Sequence, residues 1–237
     1  MVENLIKRLL VTVIVGFSVP AMAIPLLVNG SFEDPVATPG TYLNFRTSNV
    51  PTIGTGSGDQ WRVRYDSGDP FAGGGAAVIP NSYHTNDTYY PTPRGNQFLQ
   101  VAANPSDLVI ISQILPTQPS YGGHYNLSFY QSDVRNGAGG KVAFDLVYFV
   151  NNAQIFAPVE FATGANSDWV LQTLEFDLAD GVGRPELRIL QKQRYASLVD
   201  DVALDFTPPS QGLPEPGTLL LSLLGLGWLG ASRRRSH

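Results

Sequence analysis

The clearest binding chemistry lies in the polar stretch "IPNSYHTNDTYYPTPRGN" at 79–96. Aromatic rings on a loop can stack on sugar rings, and arginine, asparagine and aspartate can bind hydroxyl groups. Loops of this length inside a compact domain are usually functional or disordered. The alternative is that the tyrosines pack the loop onto the domain. The candidate glycan-binding residues are Tyr83, Tyr89, Tyr90 and Arg94, together with Trp61 from "WRVRY" at 61–65.

Residues for catalysis are much less evident. The chain has three histidines, of which His237 lies in the C-terminal tail. It contains no His-Glu-x-x-His motif, no Gly-x-Ser-x-Gly motif and no phosphate-binding loop. A glycosidase would need two carboxylates about 5–10 Å apart across a cleft, and the spacing of the acidic residues distinguishes no such pair. The sequence therefore predicts a protein that is not an enzyme.

Composition and charge exclude several classes of protein. The chain has 237 residues and no cysteine, which excludes disulfides, thiolate catalysis and cysteine-ligated zinc or iron–sulfur sites. Ten basic and eighteen acidic residues lie between positions 24 and 213, a formal charge of −8. Such a surface repels phosphate backbones, so no nucleic-acid partner is expected.

The N-terminus has the pattern of a secretory signal peptide. Lys7 and Arg8 precede the apolar run "LLVTVIVGFSV", which is followed by Pro20 and "AMA". A positive start, a short apolar core and a small-x-small site predict cleavage after Ala23, with residues 1–23 removed on export. The alternative is an uncleaved anchor, for which this run is short against the ~17–25 residues of a spanning helix.

The C-terminus has three parts in a fixed order. A leucine- and glycine-rich stretch at 217–231 would rise ~22 Å as a helix, somewhat less than a ~30 Å hydrocarbon core, so local bilayer thinning would have to accommodate it. Arginines directly after such a stretch hold the C-terminus in the cytoplasm. The flanking motifs are Pro214, Glu215 and Pro216 before the stretch and Arg233, Arg234 and Arg235 after it.

This three-part order resembles the PEP-CTERM sorting signal of Gram-negative bacteria. The resemblance covers the segment 214–237 and implies a transmembrane helix and an intermediate anchored in the inner membrane. It also implies an exosortase-type enzyme that cuts near the Pro-Glu-Pro and passes the protein to the cell surface or beyond.

Between the two ends the sequence pattern predicts β-structure. Several segments alternate apolar and polar residues, as half-buried strands do, and abundant Gly and Pro separate them. The sequence "VNNAQ" at 150–154 predicts a hairpin turn. These features predict one β-sandwich domain at 24–206, followed by a linker at 207–213. The predicted strands are 61–65, 97–102, 108–115, 124–131, 141–150, 154–162, 169–178, 186–192 and 198–206.

Three motifs of this region add a second resemblance. The segments "LLVNGSFEDP" (26–35), "GNQFLQV" (95–101) and "LVDDVALD" (198–205) are similar to the galactose-binding-like jelly roll of bacterial carbohydrate-binding modules and of a plant cell-wall family of unknown function. The resemblance implies a jelly-roll sandwich whose first and last strands lie close together. It also implies a structural calcium ion beside these strands.

The acidic positions of that family correspond to Glu33 and Asp201, and calcium is bound by carboxylate and carbonyl oxygens. The alternative is that Glu33 lies in a solvated turn and that Asp200 or Asp201 accepts backbone hydrogen bonds. Strand alternation points only one of these two aspartates inward, and Asp201 is the one expected there.

We therefore expect an exported, surface- or matrix-directed protein with one all-β jelly-roll domain and with a signal helix and a transmembrane helix outside its core. Glycan binding without catalysis is the expected activity. The alternatives are a structural or adhesive matrix protein without a small ligand, and a hydrolase acting on polysaccharide. An exposed platform of Trp61, Tyr89 and Tyr90 would favour glycan binding, whereas burial of these rings would favour the matrix role.

Overall fold

The computed structural model describes residues 23–45, 52–53, 60–65, 75–83, 92, 94–102, 108–118, 120–133, 139–165, 167–181, 183–191 and 196–209. Ala23–Pro208 forms one compact unit. The signal residues 1–22 and the sorting segment 214–237 lie outside the described residues, so their predicted helices do as well. In the described ranges, no helix has the length and hydropathy needed to cross a bilayer.

The described residues form thirteen strands in two sheets. In chain order they are β1 (Ile24–Pro25), β2 (Leu43–Asn44), β3 (Thr52–Ile53), β4 (Trp61–Tyr65), β5 (Gly75–Pro80), β6 (Gln97–Ala102), β7 (Val109–Ile114), β8 (Gly123–Asp133), β9 (Lys141–Tyr148), β10 (Gln154–Ala162), β11 (Val170–Leu178), β12 (Pro185–Gln191) and β13 (Ser197–Thr207). Sheet A has the order β11-β8-β13-β6-β5-β2, with β1 also paired to β13. Sheet B has the order β10-β9-β12-β7-β4-β3, and the recorded pairs in both sheets are antiparallel. The fold is an all-β jelly-roll sandwich, as predicted.

The first and last strands lie side by side. Ile24 is paired with Phe206, and the backbone N–H of Val202 donates to the carbonyl of Gly30 at 2.8 Å. A Cβ atom on Gly30 would lie 1.8 Å from the carbonyl oxygen of Val202, so only glycine fits at this point of "NGSFED". The opening and closing motifs are therefore neighbours in space.

The core lies between the two sheets and is rich in aromatic rings. Phe129 from sheet A and Phe144 from sheet B have ring centroids 4.4 Å apart, and the Tyr125 ring stacks on Phe176 at 5.3 Å. Aromatic rings of this size bury 150–250 Å² each and dominate the hydrophobic stabilisation of a core. On β11, Leu174 and Phe176 pack against this core and alternate with the exposed Thr173 and Glu175.

All nine predicted strands are present, with ends that differ by no more than two residues. The predicted turn after β9 is confirmed: Tyr148 and Ala153 are joined by a backbone hydrogen bond, and Asn152 has a positive φ of 54°. The sequence did not predict the short strands β1, β2 and β3, nor β5. The last of these begins in a glycine-rich stretch that weakens the strand signal.

Candidate ligand-binding face

Six polar side chains lie together on the outward side of sheet B, and we call this set the charged face. They come from four neighbouring strands. They point outward because they alternate with core residues such as Trp61, Val63, Leu187 and Ile189. Three cross-strand pairings in a row join them, from β4 through β7 and β12 to β9. The members of the charged face are Arg62, Arg64, Ser112, Asp145, Glu186 and Arg188.

Both carboxylates of the charged face are bound by arginine. Arg64 Nη2 lies 2.7 Å from Glu186 Oε1 and donates to Ser112 Oγ at 3.3 Å. Arg188 binds Asp145 through two parallel contacts, one of them from Nε to Oδ1 at 2.7 Å and the other from Nη2 to Oδ2. The hydrogen bond to Asp145 raises the pKa of Arg188, against the desolvation that lowers it, and the negative charges of Asp145 and Glu186 raise it further.

The charged face is unusually buried for residues that point away from the core. Ser112 is 0% exposed, and Asp145 and Glu186 are each 1% exposed. Arg64 Nε and Glu186 Oε2 are buried and have no hydrogen-bond partner among the described residues. A buried polar group without a partner costs about 1–3 kcal/mol, and more if it is charged. The face therefore contains one donor and one acceptor that the described residues leave without a partner.

Two side chains from opposite sides of this face contact each other. The guanidinium of Arg62, on β4, lies 5.4 Å from the ring centroid of Phe149, which follows β9. Two strands separate β4 from β9, so their backbones are about 14 Å apart at ~4.8 Å per strand. The two side chains therefore reach towards each other across the positions of β7 and β12.

The structure corrects the expected position of Trp61. Its side chain is 0% exposed and packs against the Phe32 ring at a centroid distance of 5.5 Å. The indole N–H donates to the carbonyl of Asn29 at 3.1 Å, so the polar atom of the ring has its partner inside the protein. Trp61 therefore stabilises the core and does not offer a ring face to a glycan at the surface.

The other predicted glycan residues that are described lie on the outward side of sheet A. Tyr83 is half-buried and contacts Tyr42 edge to face, with ring centroids 5.4 Å apart. Arg94 has a side chain that is 63% exposed, and its guanidinium lies 6.0 Å from the ring centroid of Tyr130. Tyr89 and Tyr90 lie outside the described residues. The structure therefore does not bring Trp61, Tyr83 and Arg94 to a common surface.

The predicted calcium ligands lie where the opening and closing motifs meet residues 92–97, a region we call the acidic junction. Glu33 Oε1 accepts the backbone N–H groups of Asn96 and Gln97 at 2.7 and 3.1 Å. Asp201 forms an ion pair with Arg94 at 3.4 Å, and its side chain is 37% exposed. In the described part of the chain, no group of three or more His, Cys, Asp or Glu side chains is placed to hold a metal ion.

Within the acidic junction, Asp200 and not Asp201 is the buried aspartate. A register shift in β13 between Asp200 and Ala203 inserts an extra residue, and Asp201 adopts a positive φ of 50°. The bulge gives the next core position after Val199 to Val202 and not to Asp201. Asp200 lies on the outward side with Leu198 and is nevertheless 0% exposed. Its carboxylate accepts the hydroxyl of Thr92 and the backbone N–H of Asp201.

Burial raises the pKa of Asp200 to about 7, although the hydrogen bonds from Thr92 and from the Asp201 N–H lower it. The negative charges of Asp201 and Glu33 raise it further. Calcium is bound by six to eight oxygens, from carboxylates and carbonyls. The calcium ion stays a prediction.

Sequence reasoning did not predict the charged face as a site. A signal was present, because Arg62 and Arg64, like Glu186 and Arg188, are charged residues two apart in strands that alternate with apolar residues. Two charged residues on one face of a strand usually indicate solvent exposure. Only the pairing of the four strands shows that these charges neutralise one another and are buried.

Comparisons with known proteins support the fold. No family model and no curated protein sequence matches the chain. The Stig cyclase Fisc from Fischerella sp. TAU, solved in complex with an indole compound, has a TM-score of 0.58 and 14% identity over 80% of this chain and 100% of its own. An apo form of a cyclase from Fischerella sp. has a TM-score of 0.56 and 15% identity over 80% and 98%. The xylan-binding domain CBM22-1 of Paenibacillus barcinonensis Xyn10C is similar at a TM-score of 0.42 and 15% identity over 74% and 100%.

Proposed function

We propose that this protein is an exported, non-catalytic glycan-binding protein and that the charged face of sheet B contacts the glycan. The observation that carries the proposal is the buried set of arginines and carboxylates in which Arg64 Nε and Glu186 Oε2 have no partner among the described residues. These two atoms are a buried donor and a buried acceptor of the same face.

The mixture of charges indicates the kind of ligand. Arginine offers only donors and an ionised carboxylate offers only acceptors. A hydroxyl group both donates and accepts, so a polyhydroxylated ligand can bind an arginine and a carboxylate at once. A phosphate-rich ligand would face Asp145 and Glu186, and a simple cation would face three arginines, so each would meet repulsion at close range.

The same geometry supports a role without catalysis. Asp145 and Glu186 lie on the adjacent strands β9 and β12. Each is ion-paired with an arginine, at 2.7 Å for the Glu186–Arg64 pair. A general acid must carry a proton, and a neighbouring guanidinium favours the ionised form.

We also propose the route by which the protein reaches its site of action. Residues 1–23 direct export, and residues 214–237 hold an intermediate in the inner membrane. An exosortase-type enzyme then cuts near Pro214-Glu215-Pro216 and releases the protein to the cell surface or matrix. The support is the order of the three C-terminal parts and their agreement with a signal peptide at the other end. Deletion of 214–237 should leave the exported protein soluble in the periplasm and absent from the cell surface, and an unchanged membrane-bound fraction would contradict this route.

A structural calcium ion at the acidic junction is part of the proposal. Glu33 and Asp201, with Asp200 beside them, would supply carboxylate oxygens. The ion would neutralise a cluster in which three negative charges repel one another. Its role would be to fix the opening motif, the segment 92–97 and β13 in one arrangement.

One observation favours a different role, that of a structural or adhesive matrix protein. Burial of Trp61 removes the exposed platform on which an aromatic-mediated glycan site would depend. Under that interpretation the charged face would be a structural feature of the sandwich.

A glycan-array screen of the purified protein distinguishes the two roles. We expect binding to at least one polysaccharide, weakened about 10-fold or more in Glu186→Gln, because one charge-assisted hydrogen bond is worth about 1.5–3 kcal/mol. The matched control is Glu160→Gln, which alters an exposed carboxylate of sheet B, 59% exposed and paired with Lys141. No binding to any polysaccharide, or equal binding by the two variants, would favour the matrix role.

A further inference from the structure

Arg62 differs from the other two arginines of the charged face. Arg64 and Arg188 are each ion-paired with a carboxylate. No carboxylate lies within ion-pair distance of Arg62 among the residues that the structure describes, and its recorded contact is with the ring of Phe149 at 5.4 Å. Its hydrogen-bond donors are therefore available to a ligand.

The charge balance of the face indicates the sign of the charge on that ligand. Three arginines and two carboxylates leave a formal charge of +1 on the charged face, while residues 24–213 carry −8. One negative group on a ligand would be attracted locally to Arg62. A polyanion would meet the negative surface around it, and the net repulsion would oppose its approach.

The geometry of Arg62 and Phe149 indicates which kind of ligand carries the negative group. A guanidinium presents a planar fork of donors that matches a carboxylate with two parallel hydrogen bonds. Phe149 is 39% exposed and offers an apolar ring beside that fork. A sugar ring that bears a carboxylate could place its apolar face on Phe149 and its carboxylate on Arg62.

We infer that the charged face binds a glycan in which isolated sugars carry a carboxylate, with Arg62 as the residue that selects for it. This inference rests on the proposed glycan-binding function and names the ligand class for the same face. The bidentate ion pair replaces the contact between Arg62 and Phe149, and the ring of Phe149 then contacts the sugar. Two sources supply this chemistry, a uronic acid residue and a pyruvyl ketal.

The test uses matched oligosaccharides and the purified full chain. One pair compares a uronate-bearing oligosaccharide with its carboxyl-reduced form, and a second pair compares a pyruvylated oligosaccharide with its depyruvylated form. Calorimetry should give about 10- to 100-fold tighter binding of the carboxylated member in one pair, the range expected for a charge-assisted bidentate contact. The pair that shows the preference identifies the source of the carboxylate.

Variants of Arg62 then assign the preference to this residue. Arg62→Gln should bring the ratio of affinities within a pair close to one, and Arg62→Lys should give an intermediate ratio because it keeps the charge but loses the fork. Lys141→Gln, which changes an exposed cation elsewhere on sheet B, should keep the wild-type ratio.

Failures of the two proposals give different results. If the wild-type chain binds neutral and carboxylated members equally, or if Arg62→Gln keeps the preference, the inference about Arg62 is overturned while glycan binding stands. If the wild-type chain binds no glycan in the array or in either pair, the proposed function itself is overturned.

Discussion

Asp145 in the charged face and Asp200 in the acidic junction are buried to the same degree, at 1% and 0% exposure, but they have different partners. Asp145 faces the fork of Arg188, which supplies a full positive charge. Asp200 faces a hydroxyl, one N–H and two further carboxylates, and its pKa is raised to about 7. The fold therefore supplies a full counter-charge to Asp145 and none to Asp200 among the described contacts of its carboxylate.

The largest effect is expected when the charged face loses its counter-charge. Arg188→Met should lower the free energy of unfolding by about 3–5 kcal/mol, because Asp145 would be buried as an unpaired charge. Chemical denaturation at pH 7 measures this change. The double variant Asp145→Asn with Arg188→Met should recover much of the loss. A loss below about 1 kcal/mol in the single variant would show that Asp145 gains water or another partner.

The second effect concerns the acidic junction without metal. Asp200 has a higher pKa in the folded state than the value of 3.8 expected when it is exposed, so the folded state binds more protons between these values. Its contribution to stability is therefore present at low pH and is lost as the pH rises from about 4 to about 7. Asp200→Asn should flatten this dependence and stabilise the protein above pH 7 by at most about 4 kcal/mol, at about 1.4 kcal/mol per pKa unit.

Urea denaturation of both proteins across pH 4–8 in the presence of EDTA measures this difference. Parallel stability curves for the wild type and Asp200→Asn would contradict the raised pKa. Tyr83→Phe serves as a control, because it changes the same outward side of sheet A without altering a carboxylate.

The third effect is expected when calcium is added to the acidic junction. The ion would give the junction the counter-charge that Arg188 gives Asp145. Calcium at about 100 times its dissociation constant should stabilise the fold by about 2.7 kcal/mol and reduce the pH dependence between pH 4 and 7. Thermal unfolding with calcium and with EDTA measures the shift in Tm. Glu33→Gln should weaken the shift, and an identical Tm in calcium and EDTA would argue against the ion.

The smallest effect is expected for an ion pair at the surface. Lys141 and Glu160 lie 2.8 Å apart with side chains 41% and 59% exposed. Solvent-exposed pairs of this kind contribute about 0–1 kcal/mol. Lys141→Ala should therefore change the free energy of unfolding by less than about 1 kcal/mol. A loss as large as that of Arg188→Met would mean that burial does not determine how much an ion pair contributes to the free energy of unfolding.

Much of the fold could be predicted from the sequence because alternation is a local property. Leu174 and Phe176 fall on the inward side of β11 from the period of two alone. The bulge in β13 could not be predicted in this way, since a single inserted residue gives the core position after Val199 to Val202 and not to Asp201. Trp61 was ambiguous for a different reason, because tryptophan suits both a core and a binding surface.

The charged face was beyond sequence reasoning because its partners are far apart in the chain. Arg64 and Glu186 are separated by 122 positions, and Arg188 and Asp145 by 43. No local pattern states that β4, β7, β12 and β9 are neighbours, since that order follows from how the whole sandwich closes. The glycan-binding residues expected from the loop at 79–96 were chosen by residue type, and the structure separates Trp61 from Tyr83 and Arg94.

The sequence by itself determined the all-β class, nine of the strands, the turn at Asn152 and the negative charge of the central region, because these depend on composition and on neighbours a few positions apart. Only the tertiary structure decided which charges are neutralised. It paired Asp145 and Glu186 with arginines and left Asp200 among other carboxylates, because the free energy of a buried charge depends on the partners that strand pairing brings within about 4 Å.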